Sequence, residues 1–574
     1  MSESDALKKL EKSLDLPNWW KDLLGQKPAD IIDYDLVDER LPRTEILAAA
    51  EIKRKFGRHV SFINQNKRWY IWDERIHTPC DGEGIIVKIV KFYFAQVKEA
   101  LEFVQGAIEK HASQVGASGI TDADTKAAEI RKIYDGVFKK HRDFRDRIAT
   151  EAGISAVVRL LRTEFDVPAD HFDNDQQWFV CRNMVVDLDV LRNSGQFSFL
   201  PHSAERPVTR YFDADYVYNE HTTNPGLWDK FLQTSILDDS MRDYFQSVIG
   251  ATFMGESKLR CIMNLTGPPH SGKSVAINTL FTLGRPGSGY SAMPDSRVIT
   301  KVSGQNFEQD NLKGIRFSGI SEPSSTEPID DDFLKRYTGD IWVETRTLNV
   351  ASTGWAPQGV IFVASNKPLR INTRDAAIVD RVQMIQFPVH FTLDNPDPNK
   401  RLDEHLESNL LSEASRSRIL YWILQGMAKF CVKERRKLIP PPAVKELSKN
   451  VVVEGSTALR FISDFVDDQF LVINPEEQDD HYCITVDDAY NRYVTWCMFN
   501  GEKKPLPKRF FSQDIENKYF GSSGVGSGKK FLCILPTVNY RRQYEKPAIA
   551  AFEAHAERQK EAVAPSPSVS AGGF

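Results

Sequence analysis

The spacing of apolar residues changes character several times along the chain, and each change predicts a different kind of element. Residues 1–60 are polar with a helical rhythm. From 61 to 80, "SFINQNKRWYIWDERIHTPC" alternates aromatic and polar side chains, the period-two pattern of paired, half-buried strands. Between about 83 and 165 the period lengthens. There "KIVKFYFAQVKEALEFVQGAIEK" and "SGITDADTKAAEIRKIYDGVF" repeat apolar residues at helical spacing, and Gly116 and Gly119 mark the turn between them. A β-rich stretch follows, "WFVCRNMVVDLDV" and "FSFLPHSAERPVTRYF", and then "LWDKFLQTSILDDSMRDYFQSVIGATFMG" reads as helices.

From about 255 to 390, four apolar runs alternate with helical segments: "CIMNLTG", "GIRFSGIS", "GVIFVAS" and "RVQMIQF". Strands of this kind, each followed by a helix, predict an α/β core of parallel-sheet type. A helical segment from about 402 to 450 ends in "RRKLIPPPAVKEL", whose prolines suggest a linker. Residues about 455–540 form a last small domain, and the end, "AFEAHAERQKEAVAPSPSVSAGGF", has the small, Pro/Ser-rich composition of a disordered tail. The expected division is therefore 1–60, 61–240, 241–400, 401–450, 455–542 and 543–574, with no internal repeat.

At 574 residues the chain is long enough for several domains. Its 41% apolar and 27% charged residues place it among ordinary globular proteins. No segment approaches the roughly 20 apolar residues of a membrane span, and the charged N-terminus lacks an apolar signal core. Seven cysteines (Cys80, Cys181, Cys261, Cys431, Cys483, Cys497, Cys533) are scattered without a Cys-x-x-Cys pair. That usage fits a reducing cytoplasm and argues against a zinc ribbon. With a net charge of −5, nucleic-acid binding must come from local basic patches.

One stretch carries explicit chemistry. "NLTGPPHSGKSVAINTLF" spells a phosphate-binding loop, Gly267, Pro268, Pro269, His270, Ser271, Gly272, Lys273, Ser274. Such a loop needs glycine where a Cβ would clash with phosphate, a lysine for the β/γ-phosphates and a hydroxyl for Mg²⁺. The apolar run before it predicts a strand, and "SVAINTLFTL" predicts a helix whose N-terminus faces the phosphates. A second cluster, "GSSGVGSGKKF", fails the pattern at Ser523 and Lys530 and reads as a basic hairpin tip. ATP hydrolysis further needs an acid after an apolar strand, and Glu322 follows "GIRFSGIS". Asn366 ends the next strand, where an amide can orient water or touch the γ-phosphate. Arg374 and Arg381 lie beyond it, placed to reach a nucleotide on a neighbouring subunit; a surface ion pair would account for either equally well.

In this order the motifs resemble superfamily III helicases, in particular the phage/plasmid primase–helicase family with poxvirus-type helicase domains. The resemblance covers about 60–540, through "RWYIWDERIH", "RNMVVDLDV", "LTGPPHSGKSV", "ISEPSS…FLKRYTGD", "VIFVASNKP" and "RDAAIVDRVQMIQF". It implies an α/β, AAA+-like P-loop NTPase core with a mainly helical N-terminal domain and a C-terminal winged helix, assembled as a homo-hexameric ring around DNA. By this likeness Lys273 and Ser274 bind phosphate and Mg²⁺, Glu322 activates water and also serves the metal, Asn366 senses the γ-phosphate, and Arg381 acts in trans. The implied function is an ATP-driven replicative helicase of a phage or mobile element, acting on single-stranded and forked DNA in a bacterial host cytoplasm, with a separate primase or polymerase as partner.

The family places a pore element between the acid and the amide, here "FLKRYTGDIWVETRTLNVASTGWAP" with Lys335, Arg336 and Arg346 as its cations. A solvated helix face is the competing reading for Lys335 and Arg336. Two departures stand out: the acidic motif has a single carboxylate preceded by Ser321, and the hairpin lacks a lysine near its tip. "MVVDLDV" matches a metal-holding Asp-x-Asp of primases; without a following Ser-x-His it reads as a structural hairpin, and too little chain precedes residue 60 for a primase domain. The last domain reads helix, turn, helix and glycine-tipped hairpin, the order of a winged helix. Lys508, Arg509 and Lys518 on its second helix, Lys529 and Lys530 on the wing, and Arg541 and Arg542 beyond form a candidate duplex-binding face. Docking to protein is the alternative.

Overall fold

The computed structural model describes residues 44–117, 123–174, 176–256, 259–300, 307–321, 329–339, 343–345, 353–366, 369, 380–455, 457–468, 471–473, 483–500, 505–518, 522–523, 528–531 and 534–536. The first helix, Glu45–Phe56, starts where Thr44 Oγ1 accepts a hydrogen bond from Leu47 N, and it buries Ala48, Ala49, Ile52 and Phe56. These meet an antiparallel meander of β1 (Val60–Ile63), β2 (Arg68–Trp72) and β3 (His77–Cys80). Trp69 is the centre of that core, 4.7 Å from the Phe62 ring and 6.0 Å from Phe165. Three helices, Gly84–Gly116, Ala123–Ile148 and Glu151–Glu164, complete it. The expected division at residue 60 thus cuts through one core. It had been placed where the polar rhythm changes, whereas burial decides the unit.

A second small sheet joins β4 (Trp178–Val180), β5 (Val185–Asp187) and β6 (Phe199–Leu200). Asp187 caps the helix Leu188–Ser194, accepting from Asp189 N and Val190 N, while Asp189 pairs with Arg192 at 2.8 Å. Both carboxylates of "MVVDLDV" are therefore engaged in capping and pairing, in agreement with the structural reading.

The main sheet has five parallel strands in the order β13-β7-β12-β9-β8. β7 (Ile262–Thr266), β9 (Phe317–Ser321), β12 (Val360–Ser365) and β13 (Val382–Gln386) are the four predicted runs. β8 (Ser291–Ala292) is too short to leave a pattern. Helices Asp239–Phe253 and Glu413–Val432 cross backbone to backbone: a Cβ on Gly250 would lie 2.4 Å from Met427 N, and one on Gly426 would lie 2.4 Å from Gln246 O. The main apolar cluster runs from Phe179 and Phe212 through Phe245 and Phe362 to Ile423 and Met427. Packing therefore crosses the expected divisions at 240 and 400, and the helical segment 401–450 contributes Leu410, Ile419, Ile423, Met427 and Val444 to the core. Nor do the prolines make a linker. Pro442 opens the helix Pro442–Gly455, a position where the missing N–H does no harm, and Ser448 Oγ on that helix accepts from Met384 N of the edge strand β13 at 3.2 Å.

After β9, the helix Asp331–Gly339 packs on an antiparallel pair, β10 (Val343–Thr345) and β11 (Thr353–Trp355), with Tyr337 edge-on to Trp355 at 6.4 Å. The C-terminal unit holds the helices Thr457–Asp467, Val486–Phe499 and Lys508–Lys518. With them are two strand pairs, β14 (Leu471–Ile473) with β17 (Ile534–Pro536) and β15 (Ser522–Ser523) with β16 (Lys530–Phe531). Phe461, Tyr493, Phe511 and Phe531 form its core. Among the described residues no helix is long and apolar enough to cross a membrane.

Candidate functional site

The glycine-rich loop leaves β7 at Thr266 and ends where the helix Lys273–Leu283 begins. Both bracketing glycines are required by their surroundings. A Cβ on Gly267 would stand 2.0 Å from Phe387 O. At Gly272, with φ +92°, a Cβ would stand 2.8 Å from Phe231 Cε2 and 3.0 Å from Ser235 Oγ. The loop is also stitched to the segment after β13. Phe387 N donates to Thr266 O (2.8 Å), Phe391 N to His270 O (3.0 Å), and His390 Nδ1–H to Pro269 O (2.6 Å). A carbonyl can only accept, which fixes the proton on Nδ1 of His390.

Lys273 is only 6% exposed. Its Nζ donates to Gly267 O (2.8 Å), Pro268 O (2.7 Å) and Ser271 Oγ (3.0 Å), so the ammonium sits inside the curl of the loop it belongs to. An incoming phosphate can take over the three ammonium N–H groups from these loop acceptors. Ser274 is exposed on the first turn of the helix, where backbone N–H groups and the helix dipole favour an anion.

Above the loop opens a cavity of about 560 Å³. One wall is the helix Leu227–Ser235, through Leu227, Phe231 and Thr234; the other comes from Phe391, Leu402 and Leu406, with Arg401 and Asp403 beside them. Sequence reading missed both walls. Their segments lie far apart in the chain and read as ordinary amphipathic helix and loop. The first wall is anchored by a buried ion pair. Asp229 accepts from Arg418 Nε (2.7 Å), Arg418 Nη2 (2.6 Å) and Gly226 N (2.7 Å), and Arg418 Nη1 also donates to Thr222 O (2.9 Å). Asn366 faces the cavity from the tip of β12. Just before it, Ser365 Oγ donates to Asn264 Oδ1 at 2.7 Å, a buried bond that fixes the tip of β12 beside β7.

The structure thus brings Pro269 to Ser274 and Asn366 together around one cavity, while Gly267 and Pro268 meet the Lys273 ammonium through their carbonyls. It does not bring Arg381 there. Arg381 precedes β13, its carbonyl accepting from Ile262 N at 2.7 Å and its Nη2 lying near Gly339. Phe387, which touches the loop, is at the other end of that strand, about 20 Å away. Glu322, Arg346, Arg374, Arg541 and Arg542 lie outside the described residues. Lys335 and Arg336 are half-buried on the helix Asp331–Gly339, Arg336 Nε donating to Asp332 O (3.3 Å). In the C-terminal unit Lys508 pairs with Asp487 and Lys529 with Glu516 (2.6 Å), so both are committed within the unit. Arg509 is exposed, Lys530 is half-buried on β16, and Lys518 closes its helix.

Among the described residues no group of three metal-ligating side chains occurs. The residues present do suit a nucleotide with its Mg²⁺: the glycine cradle, the enclosed lysine and the open Ser274 hydroxyl are a phosphate-binding donor set beside a cavity of nucleotide size.

Comparison with known proteins adds a relationship. Residues 49–236 match the family model described as D5 N terminal like. The chain is 27% identical over 281 residues to "Putative helicase L207/L206" of Acanthamoeba polyphaga mimivirus, which covers 47% of this chain and 28% of that protein. It is 24% identical over 292 residues to "Putative helicase 022R" of Frog virus 3 (isolate Goorha), with the same 47% and 28% covered. The matches thus span little more than a quarter of the length of these relatives. An apo structure of the NrS-1 C-terminal region aligns with 63% of this chain and 96% of its own, at 10% identity and a TM-score of 0.31, a likeness too loose to carry an argument. The chain is thus similar, over part of its length, to the D5 N terminal like model and to two viral proteins named as putative helicases.

Proposed function

We propose that the chain is an ATP-dependent DNA helicase of a replication system, with an AAA+-like P-loop core of superfamily III type and a C-terminal winged helix, working as a ring, most simply a hexamer. The observation that carries this reading is the enclosed Lys273 beneath a nucleotide-sized cavity, with Asn366 on the neighbouring strand tip. The helicase names of the viral relatives support the choice of DNA as the object of the work. Mg²⁺, when bound, would be held by the Ser274 hydroxyl and Glu322 and would supply neutralisation of the negative charge that develops on the phosphate.

In this scheme Lys273 exchanges its three loop acceptors for phosphate oxygens, and the Ser274 hydroxyl turns to the metal. Glu322 takes the proton of the attacking water, and Asn366 holds that water in line. Arg381 cannot serve the loop of its own chain from the far end of β13, which favours its action on a neighbour's site, where such an arginine is worth about 10³–10⁵ in rate. Lys335, Arg336 and Arg346 would contact one DNA strand in the pore, and Arg509 and Lys530 are the winged-helix cations best placed for duplex.

The test compares DNA-stimulated ATPase with strand displacement on a forked substrate. The parent should do both, and Lys273→Ala should do neither. Unwinding that survives Lys273→Ala sinks the reading. ATPase without displacement would favour an origin-melting or loading ATPase, and nucleotide-dependent DNA binding without turnover would favour a scaffold.

A further inference from the structure

The seam between the segment 49–236 and the parallel sheet gathers cations that the fold does not pair. Tyr211, 7% exposed, packs with Ile76, Val180, Val185 and Val208 and carries two guanidinium groups over its ring, Arg75 with Cζ at 4.7 Å and Arg285 at 4.1 Å. Nearby Arg206 lies 4.9 Å over Trp178, with Nη1 donating to Pro201 O at 2.6 Å. Arg75 and Arg206 both act on His202, which is held below the ordinary histidine range first by burial and then by these two charges.

None of the three arginines forms an ion pair among the described residues, and most carboxylates of the same segments are engaged elsewhere. Asp73 accepts from Arg75 N, Ile76 N and Thr78 Oγ1 within its own turn. Glu205 pairs with Arg58 (3.4 Å) and Asp173 with Arg210 (3.4 Å). Glu74 is exposed. Two of the residues that build the cluster also hold left-handed backbone, Glu74 at φ 79° and Arg285 at φ 57°, where glycine would sit at less cost. A cation at Arg285 meets the carbonyl end of the helix Lys273–Leu283, but that does not account for Arg75 or Arg206.

We propose that Arg75, Arg206 and Arg285 form a phosphate-contacting strip for the backbone of single-stranded DNA, outside the pore element and the C-terminal unit; the proposal rests on the reading that this protein works on DNA. Guanidinium groups laid on aromatic faces are pre-ordered, and each keeps further edge N–H groups for phosphate oxygens, Arg206 having given one Nη1–H to Pro201 O. The strip lies at the opposite end of the helix whose first turn closes the glycine-rich loop, about 16 Å away. The seam is fastened to that end by Asp213 N, which donates to Leu283 O at 2.7 Å. DNA held on the strip is thereby mechanically connected to the nucleotide cavity through one rigid helix.

The experiment measures binding of a fluorescent oligothymidine of roughly 30 nucleotides by anisotropy, between about 50 and 200 mM salt. The triple variant Arg75→Gln, Arg206→Gln, Arg285→Gln should bind on the order of tenfold more weakly, and its log–log salt slope should fall by about 2, at about 0.7 per lost contact. If the triple variant does not fold, single Arg75→Gln and Arg206→Gln carry the test, each expected to lower the slope by about 0.7. An unchanged Kd and slope overturn the proposal, even if melting temperature drops, because that is the pattern of arginines that merely cover Tyr211. A parent protein that binds no DNA at any salt, with or without nucleotide, overturns the helicase reading itself and the strip with it.

Discussion

Arg418 offers the sharpest test of how the nucleotide cavity is held. The guanidinium is 7% exposed and the Asp229 carboxylate 13%. They share two short bonds, and Asp229 also takes Gly226 N at the start of the helix that forms the cavity wall. Arg418→Met removes one partner and leaves a carboxylate with little solvent, a change that costs about 3–5 kcal/mol when an ion pair is this buried. Replacing both, Asp229→Leu with Arg418→Met, removes the stranded charge and should restore most of that loss, with a coupling of about 0.5–3 kcal/mol in the double-mutant cycle. The wall carries Phe231 and Ser235, on which Gly272 rests. Function should therefore suffer along with stability: KM for ATP is expected to rise on the order of tenfold, which corresponds to about 1.4 kcal/mol of binding. Urea denaturation and steady-state ATPase measure the two effects. If Arg418→Met leaves the urea midpoint and KM at parental values, the ion pair does not hold the wall, and the anchoring argument is wrong.

Gly272→Ala should lose about 1–2 kcal/mol to left-handed backbone and about 1–3 kcal/mol to overlap with Phe231. Adding Phe231→Ala should relieve only the overlap, and full recovery in thermal melts would show that φ carries no strain. His77 is buried, and burial pushes its imidazole down to about 4 although Nε2–H donates to Ala204 O, which works the other way. The unfolded chain takes up a proton near the ordinary 6.5 and the folded one only near 4, so stability should fall with pH across that window, by about 3 kcal/mol in all, and level off below it. His77→Gln keeps the donor without the titration, and a pH slope identical to the parent's would disprove the assignment. Arg381→Ala should depress ATPase and regain part of it when mixed with an excess of Lys273→Ala protein, whose intact Arg381 would complete its site; normal turnover of the variant alone, or no rescue in the mixture, removes the trans role.

Legibility differed by kind of feature. The four longer strands of the main sheet could be read because buried parallel strands are continuous apolar runs. The positions of Asn366 at the tip of β12 and of the loop after β7, on one cavity, were legible on those terms. β8, two residues long, leaves no pattern. The Asp229–Arg418 pair joins residues 189 apart in the chain, the two cavity walls also come from distant segments, and no local spacing encodes such meetings. The prolines at 440–442 misled because proline marks either a break or the first residue of a helix, and only packing against β13 decides which. Charge misled in a similar way: Lys508 and Lys529 look available in a one-dimensional reading, yet each faces a carboxylate of its own unit.

The helix over β13 also sets where the chain can be cut. Edge strands invite pairing with any extended segment that approaches them. Here Ser448 occupies Met384 N, and the helix Pro442–Gly455 lies along the strand. A protein ended at residue 440 would keep every residue of the cavity and still lose that shield. Its sheet would be open on the side nearest the loop, and the resulting fragment should self-associate through β13. Any excised core meant to report on self-association therefore has to run past Ser448.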